Sequence, residues 1–197
     1  KNTICISLFC YDNAALHSLV DAWSSGDCAV QCIVPESDAV MARLATILGI
    51  ELRPGMQVVR GALTIAAIPF LDANQYDRLL WACDVNFVRG EDSFVRAQLA
   101  ARPLVWQPYV QSDAAHLTKL TAFVDRYVER LDDTTAAALR AVHVAWSEQS
   151  HDIGRSWLEL MKARTQAVAH ARLWAARIAD GGNLVNRLAE FCQDRLK

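Results

Sequence analysis

Nine consecutive residues, Asn86 to Phe94, bring together one guanidinium, one glycine, two carboxylates and a hydroxyl. An apolar run through Val85, Phe87 and Val88 stops at Arg89-Gly90, and Phe94, Val95, Ala97 and Leu99 then recur at helical spacing. A buried strand that feeds a helix N-terminus is where open α/β sheets hold phosphorylated ligands. The first-turn N–H groups lack acceptors there, and the helix dipole favours an anion. Arg89 can grip a diphosphate through two parallel hydrogen bonds; a surface ion pair with Asp92 is the plainer alternative. Gly90 lets a ligand approach the backbone closely. Carboxylates repel phosphate, so Glu91 suits sugar hydroxyls and Asp92 suits a side-chain cap on the helix. Both also gain ~0.3–1 kcal/mol simply from lying at the positive end of the dipole. Ser93 can offer its hydroxyl and N–H to a phosphate oxygen, or serve as an ordinary first-turn serine.

Three further turns carry groups suited to a ligand. Phe9-Cys10-Tyr11-Asp12-Asn13 follows the first apolar run; it has no glycine and is therefore not a dinucleotide fingerprint. Phe9 suits either the core or a stacked ring, whereas Tyr11 lies past the strand, where burial is less natural. Ile68-Pro69-Phe70-Leu71-Asp72 places a second aromatic, Phe70, just past a strand. Trp106-Gln107-Pro108-Tyr109-Val110-Gln111 offers Tyr109 and Gln111 to line a cleft. His116 reads as a capping or packing residue, and His143, His151 and His170 are scattered, with no metal or nucleophile–base spacing. Cys28 and Cys32 lack a second close pair, and the six cysteines read as reduced, mostly buried thiols.

The elements that must position these turns follow from periodicity. Thr3–Phe9, Ala29–Val34, Leu63–Ile68, Val85–Val88 and Leu104–Trp106 are continuously apolar, as in a parallel sheet covered on both faces. Helical spacing marks Ala14–Trp23, Ser37–Leu48 (Ser37 as cap, Gly49 as stop), Gln75–Ala82 and Asp92–Ala101. Strand alternating with helix predicts a doubly wound, Rossmann-like α/β layer. From residue 113 to 197 only helices are expected: Asp113–Leu131, Thr134–Ser150, Gly154–Ala179 and Asn183–Leu196. Asp132-Asp133-Thr134 supplies a break with a cap, and Gly181-Gly182 a hinge. All four chemistry-bearing turns then fall at the C-terminal edge of one sheet, where such folds bind ligands.

Size and composition narrow the classes. With 197 residues, the chain suits one domain with a substantial core. Hydrophobic residues make up 53% and the net charge is −2, which argues against disorder and against a basic nucleic-acid footprint. No apolar run approaches the ~18 residues of a membrane span. The chain opens at Lys1, without methionine, and enters a strand almost at once, as expected either of a processed N-terminus or of a piece of a longer protein.

The Asn86–Phe94 block with Ala97-Gln98, and the run from Pro103 through Trp106-Gln107, Tyr109, Gln111 and Asp113 to His116, resemble the bacterial elongation factor P arginine rhamnosyltransferases, the EarP family. Ser7-Leu8-Phe9-Cys10-Tyr11, Ile68-Pro69-Phe70 and Tyr76-Asp77 fit the same pattern. One departure is Tyr109-Val110-Gln111, where the family usually has Tyr-Pro-Gln; here the proline is Pro108. The resemblance implies the C-terminal, donor-binding half of a metal-independent, inverting GT-B glycosyltransferase of the cytoplasm. Its donor would be dTDP-β-L-rhamnose and its acceptor an arginine of elongation factor P. A half outside this sequence would supply most acceptor contacts and the general-base aspartate, so this half alone would be inactive and prone to self-associate. Phe9, Tyr11 and Phe70 would surround the nucleoside and sugar. Arg89, Gly90, Asp92, Ser93 and nearby N–H groups would hold the diphosphate, Glu91 would act in catalysis, and Tyr109 and Gln111 would close the pocket. No membrane or nucleic-acid partner is implied. A stand-alone nucleotide-binding regulatory module, or a purely structural interaction domain, are the alternatives.

Overall fold

Segments that are apolar on both faces are stable as strands only when helices cover both sides of the sheet. The computed structural model describes residues 3–111, 114–180 and 184–195. Its strands are β1 (Ile4–Leu8), β2 (Val30–Pro35), β3 (Gln57–Arg60), β4 (Leu63–Ile68), β5 (Val85–Arg89) and β6 (Leu104–Gln107), in the order β3-β4-β2-β1-β5-β6. The five strands expected from the sequence are all present and mutually parallel. The sheet is nevertheless mixed. The unexpected β3 lies antiparallel on the edge of β4. It is four residues long and mostly exposed, so it leaves no continuous apolar run to detect. Gly61 turns the β3–β4 hairpin at φ +57, and a Cβ there would fall 2.2 Å from the Ser24 carbonyl oxygen.

Helices α1 (Leu16–Ser25), α2 (Asp38–Leu48), α3 (Ala73–Ala82) and α4 (Asp92–Leu99) connect the strands. Gly49 ends α2 in the left-handed region, as expected, but Ser37 makes no side-chain cap bond. Asp72 and Gln75 close a capping box on α3, which begins earlier than its apolar spacing suggests.

Beyond β6 come α5 (Ala115–Val128), α6 (Asp133–Ser147), α7 (Ile153–Lys162), α8 (Arg164–Asp180) and α9 (Leu184–Arg195). Asp132 caps α6 by accepting the Thr135 N–H at 3.0 Å. The single helix expected over 154–179 is two. α7 packs on α1, whereas α8 packs on α4 and extends Arg164 to Asp84 at 2.8 Å. One straight helix cannot reach both partners, so the break at Ala163 is imposed by packing and not by any breaker residue. Asp113 and the Gly181-Gly182 hinge lie outside the described residues.

The helical part wraps the sheet through aromatic side chains. Phe87 at the centre of β5 meets Trp146 of α6 at 5.0 Å and Trp23 of α1 at 5.8 Å, and Trp157 of α7 packs on Trp23 at 5.6 Å. Truncating one such ring to alanine costs about 3–5 kcal/mol. No described helix is long and apolar enough to cross a membrane. The cysteines divide: Cys10, Cys32 and Cys83 are buried, Cys5 is half-buried, and Cys28 and Cys192 are exposed.

His143 is fully buried within α6 and donates from Nδ1 to the Leu139 carbonyl oxygen at 2.8 Å. Its Nε2 has no partner among the described residues. Burial pushes its pKa down to about 4, so the unfolded chain takes up this proton at higher pH than the folded one. Stability should therefore be intact above about pH 6.5 and fall as the pH drops toward 4, by about 2–3 kcal/mol from this group. His170, also lowered by burial, adds to the same slope. Urea unfolding from pH 7 to 4.5 should show a shallower pH dependence in His143→Leu; equal slopes would contradict this assignment.

Candidate functional site

The chain runs outward through β1, β2 and β4, then returns past β1 to add β5 and β6 on its other side. The order therefore reverses between β1 and β5, and a crevice opens where the connections leave in opposite directions. Phe9 and Tyr11 leave β1 there, and Arg89 to Ser93 leave β5 there. Below the crevice, Ser7 donates its hydroxyl to Asn86 Oδ1 at 2.6 Å, and Asn86 Nδ2 donates to the Leu80 carbonyl oxygen at 3.1 Å. Both side chains are fully buried, so the two strands are pinned together by a satisfied polar pair.

Arg89 is the centre of the arrangement. Its guanidinium carbon lies 4.3 Å from the Phe9 ring centroid and 4.8 Å from that of Tyr11. It makes a long contact to the Cys10 carbonyl oxygen at 3.5 Å. The alternative of an ion pair with Asp92 is not realised: among the described residues Arg89 pairs with no carboxylate. The second arginine of the crevice, Arg96, is fully engaged. It binds Asp92 at 2.8 Å and both oxygens of Asp77 at 3.0 Å. Of the two cations, only Arg89 retains charge for an incoming anion.

The turn after β5 corrects three expectations. Gly90 adopts φ +62, and a Cβ there would lie 3.0 Å from the Tyr11 hydroxyl; the missing side chain makes room for Tyr11. Asp92 does not cap α4. Glu91 is the cap residue, without a side-chain cap bond, and Asp92 turns to Arg96. The Ser93 hydroxyl accepts the Arg89 N–H at 3.2 Å and donates to the Arg89 carbonyl oxygen, so it is used in clamping that residue's backbone. What the turn still offers an anion is the first-turn backbone N–H groups of α4, which have no intrahelical acceptor. Glu91 remains at the exposed lip, with Lys119 Nζ 3.9 Å from its Oε1.

A cavity of about 350 Å³ is lined by Phe9, Tyr11, Phe70, Arg89, Glu91, Asp92 and Ser93, bringing together seven of the ten residues singled out from sequence. Its volume suits a small ligand. A recess of about 480 Å³ continues past Phe70 and Arg89 to Glu36, Ser37 and Asp38 at the start of α2. Gly90, Tyr109 and Gln111 do not line the cavity. Tyr109 stands behind Tyr11, edge to face at 5.8 Å. The Gln111 N–H donates to His116 Nδ1 at 3.2 Å, so this histidine ties the loop before α5 to the helix and makes no side-chain cap bond to it.

Other contributors had no assigned role in sequence. Tyr76 of α3 packs edge-on against Phe9 at 5.6 Å, and burial pushes its phenol well above the usual range. Gln107 at the end of β6 is buried. Its Oε1 accepts the Tyr11 N–H at 2.9 Å, and its carbonyl oxygen accepts the Gly90 N–H at 3.0 Å. Trp106 donates its indole N–H to the Gly90 carbonyl oxygen at 2.6 Å. Tandem Trp-Gln was visible as part of a motif, but its reach across β5 to β1 was not. Gln107→Leu orphans the partly buried Tyr11 N–H and should lower the unfolding free energy by about 1 kcal/mol in urea titration; unchanged stability would show that the Tyr11 turn is held by other means.

With this geometry in view, known proteins can be compared. The sequence profile of the family described as Elongation-Factor P (EF-P) rhamnosyltransferase EarP matches residues 1–193. The protein-arginine rhamnosyltransferase of Pseudomonas putida is 42% identical over 97% of this chain, and that of Shewanella oneidensis 34% over 94%. The chain spans about half the length of these curated relatives, 50% and 48% respectively. A solved structure giving the structural basis for EarP-mediated arginine glycosylation of translation elongation factor EF-P superposes with a TM-score of 0.88 at 39% identity, covering 98% of this chain and 61% of that one. The chain thus belongs to the EarP family of elongation factor P rhamnosyltransferases.

Proposed function

We propose that the crevice binds the diphosphate of dTDP-β-L-rhamnose, and that this chain is the donor-binding half of an inverting, GT-B-type enzyme that rhamnosylates an arginine of elongation factor P. One observation carries the reading. A guanidinium without a carboxylate partner among the described residues is held beside the open N-terminus of α4, at the switch point of the sheet. Family membership and the curated relatives supply the reaction class.

The chemistry follows from the leaving group. As the bond to the anomeric carbon breaks, negative charge grows on the diphosphate oxygen. Arg89 and the α4 amides are already oriented toward that position and need little reorganisation as the charge develops. This division of labour calls for no metal. Phe9, Tyr11 and Phe70 offer apolar faces to the base and sugar. The acceptor is the harder problem, because a guanidinium is protonated below a pKa of ~12 and has no free lone pair. A carboxylate must orient or deprotonate it. Glu91 is an exposed carboxylate at the lip of the crevice that is not committed to an arginine or a helix cap, and the general base belongs to the acceptor-binding half.

Calorimetry on the 197-residue chain should show dTDP preferred over UDP and ATP. Arg89→Ala should weaken dTDP about 10–100-fold, the value of a charge-assisted bidentate contact. Preference for ATP, or unchanged affinity in the variant, would favour a different nucleotide-binding role. In an enzyme carrying both halves, Glu91→Gln should lower kcat by about 100-fold or more while leaving donor affinity within a few-fold. A change confined to KM would make Glu91 a binding residue only.

A further inference from the structure

At the opposite edge of the sheet from the crevice, two cysteine sulfurs touch. Cys5 lies in β1, and Cys83 follows α3 just before β5; their Sγ atoms are 3.5 Å apart although 78 positions separate them in the chain. The contact is held from the backbone. The Cys5 N–H donates to Asp84 Oδ2 at 2.8 Å, and the Asp84 N–H donates to the Cys5 carbonyl oxygen at 2.7 Å. Arg164 of α8 holds the other Asp84 oxygen at 2.8 Å. The backbones that carry the two sulfurs therefore cannot move apart without breaking a strand pairing and an ion pair. Cys5 is half-buried and reachable from solvent, whereas Cys83 is fully buried behind it.

We propose that Cys5 and Cys83 are an oxidisable dithiol, with Cys5 the thiol attacked by a peroxide and Cys83 the resolving thiol. The Cys5 thiolate attacks one oxygen of hydrogen peroxide. The O–O bond breaks, and the departing hydroxide takes up a proton to leave as water. Cys5 is then a sulfenic acid. Cys83 loses its proton and attacks the Cys5 sulfur; the S–O bond breaks, the S–S bond forms, and a second water leaves. Two thiols and one peroxide give one disulfide and two waters, and the sulfur pair loses two electrons. Closing the remaining gap to the ~2.05 Å of a disulfide is a matter of side-chain rotation, because the backbones are already fixed side by side. The electrostatics of the contact agree with this order of events: the neighbouring Cys83 thiol holds Cys5 below its usual range, against burial and the Asp84 charge, while Cys83 is pushed up.

The bridge would tie β1 to the start of β5, the two strands whose other ends carry Phe9, Tyr11 and Arg89. It constrains the unfolded chain across a long loop and leaves the crevice open. Oxidation should therefore raise stability without blocking nucleotide binding.

The test is graded hydrogen peroxide treatment of the 197-residue chain, then alkylation of free thiols and peptide mapping without reductant. Exposed Cys28 and Cys192 are internal controls. The expected product is one linked peptide pair containing Cys5 and Cys83. It should form at least ~10-fold faster than either control cysteine is oxidised, be reversed by dithiothreitol, and raise Tm by about 5 °C. In Cys83→Ser, Cys5 should stop at a sulfenic acid that dimedone traps. Cys5 and Cys83 remaining alkylatable at peroxide levels that oxidise Cys28 and Cys192 would overturn the proposal, as would mapping that joins Cys5 to any other cysteine.

Discussion

Everything around the crevice is arranged about a cation, Arg89, that has no carboxylate partner among the described residues. Burying or half-burying a guanidinium without a carboxylate is costly unless its surroundings are electron-rich or an anion arrives. Arg89 meets that condition with two aromatic faces, each worth about 0.5–2 kcal/mol toward a cation. The neighbouring Arg96 shows the alternative outcome, since Asp77 and Asp92 neutralise it. The contrast between these two arginines, seven positions apart, gives the site its sign. The Asp92 carboxylate lines the cavity but is paired with Arg96, which offsets the charge that would otherwise repel a phosphate.

The rest of the fold keeps that cation in place. The first βα turn has no glycine and no capping hydroxyl, so it is fixed from outside. Gln107 holds its leading edge through the Tyr11 N–H. Asn13, fully buried, donates to the Trp146 carbonyl oxygen at 2.9 Å, and the Ala14 N–H donates to Gln149 Oε1 at 3.0 Å. Arg43 grips both oxygens of Asp12 from α2, at 2.6 and 2.7 Å. The helices after β6 are therefore part of the machinery that sets the turn. Losing the α6 contacts would release Tyr11 and, with it, one face of the Arg89 sandwich.

Much of this was legible in the chain because local patterns encode it. Five apolar runs, each ended by a polar or aromatic turn, were enough to foresee a switch-point edge bearing Phe9, Tyr11, Phe70 and Arg89. What escaped notice is nonlocal. The exposed β3 has no apolar signature, and its pairing depends on a hairpin that Gly61 permits against Ser24. The break between α7 and α8 answers to two different packing partners. Ser93 and Gly90 suit a ligand by type; in the fold the Ser93 hydroxyl binds the Arg89 backbone while the residue still lines the cavity, and Gly90 makes room for Tyr11. Gln107 reads as part of the last turn with no role of its own; only the lateral order of β1, β5 and β6 turns it into a tie between turns 96 residues apart. Spacing reveals which turns share an edge, whereas side-chain partners within that edge depend on strand order.

The most direct measurement is a titration of the isotopically labelled chain with dTDP, followed by backbone amide resonances. If the Arg89 crevice is the nucleotide site, the amides of Phe9 to Tyr11 and of Arg89 to Phe94 shift together along one saturable curve, and those of α7 stay still. Saturable shifts centred elsewhere, or no shift in the Arg89–Phe94 turn at millimolar dTDP, would contradict it.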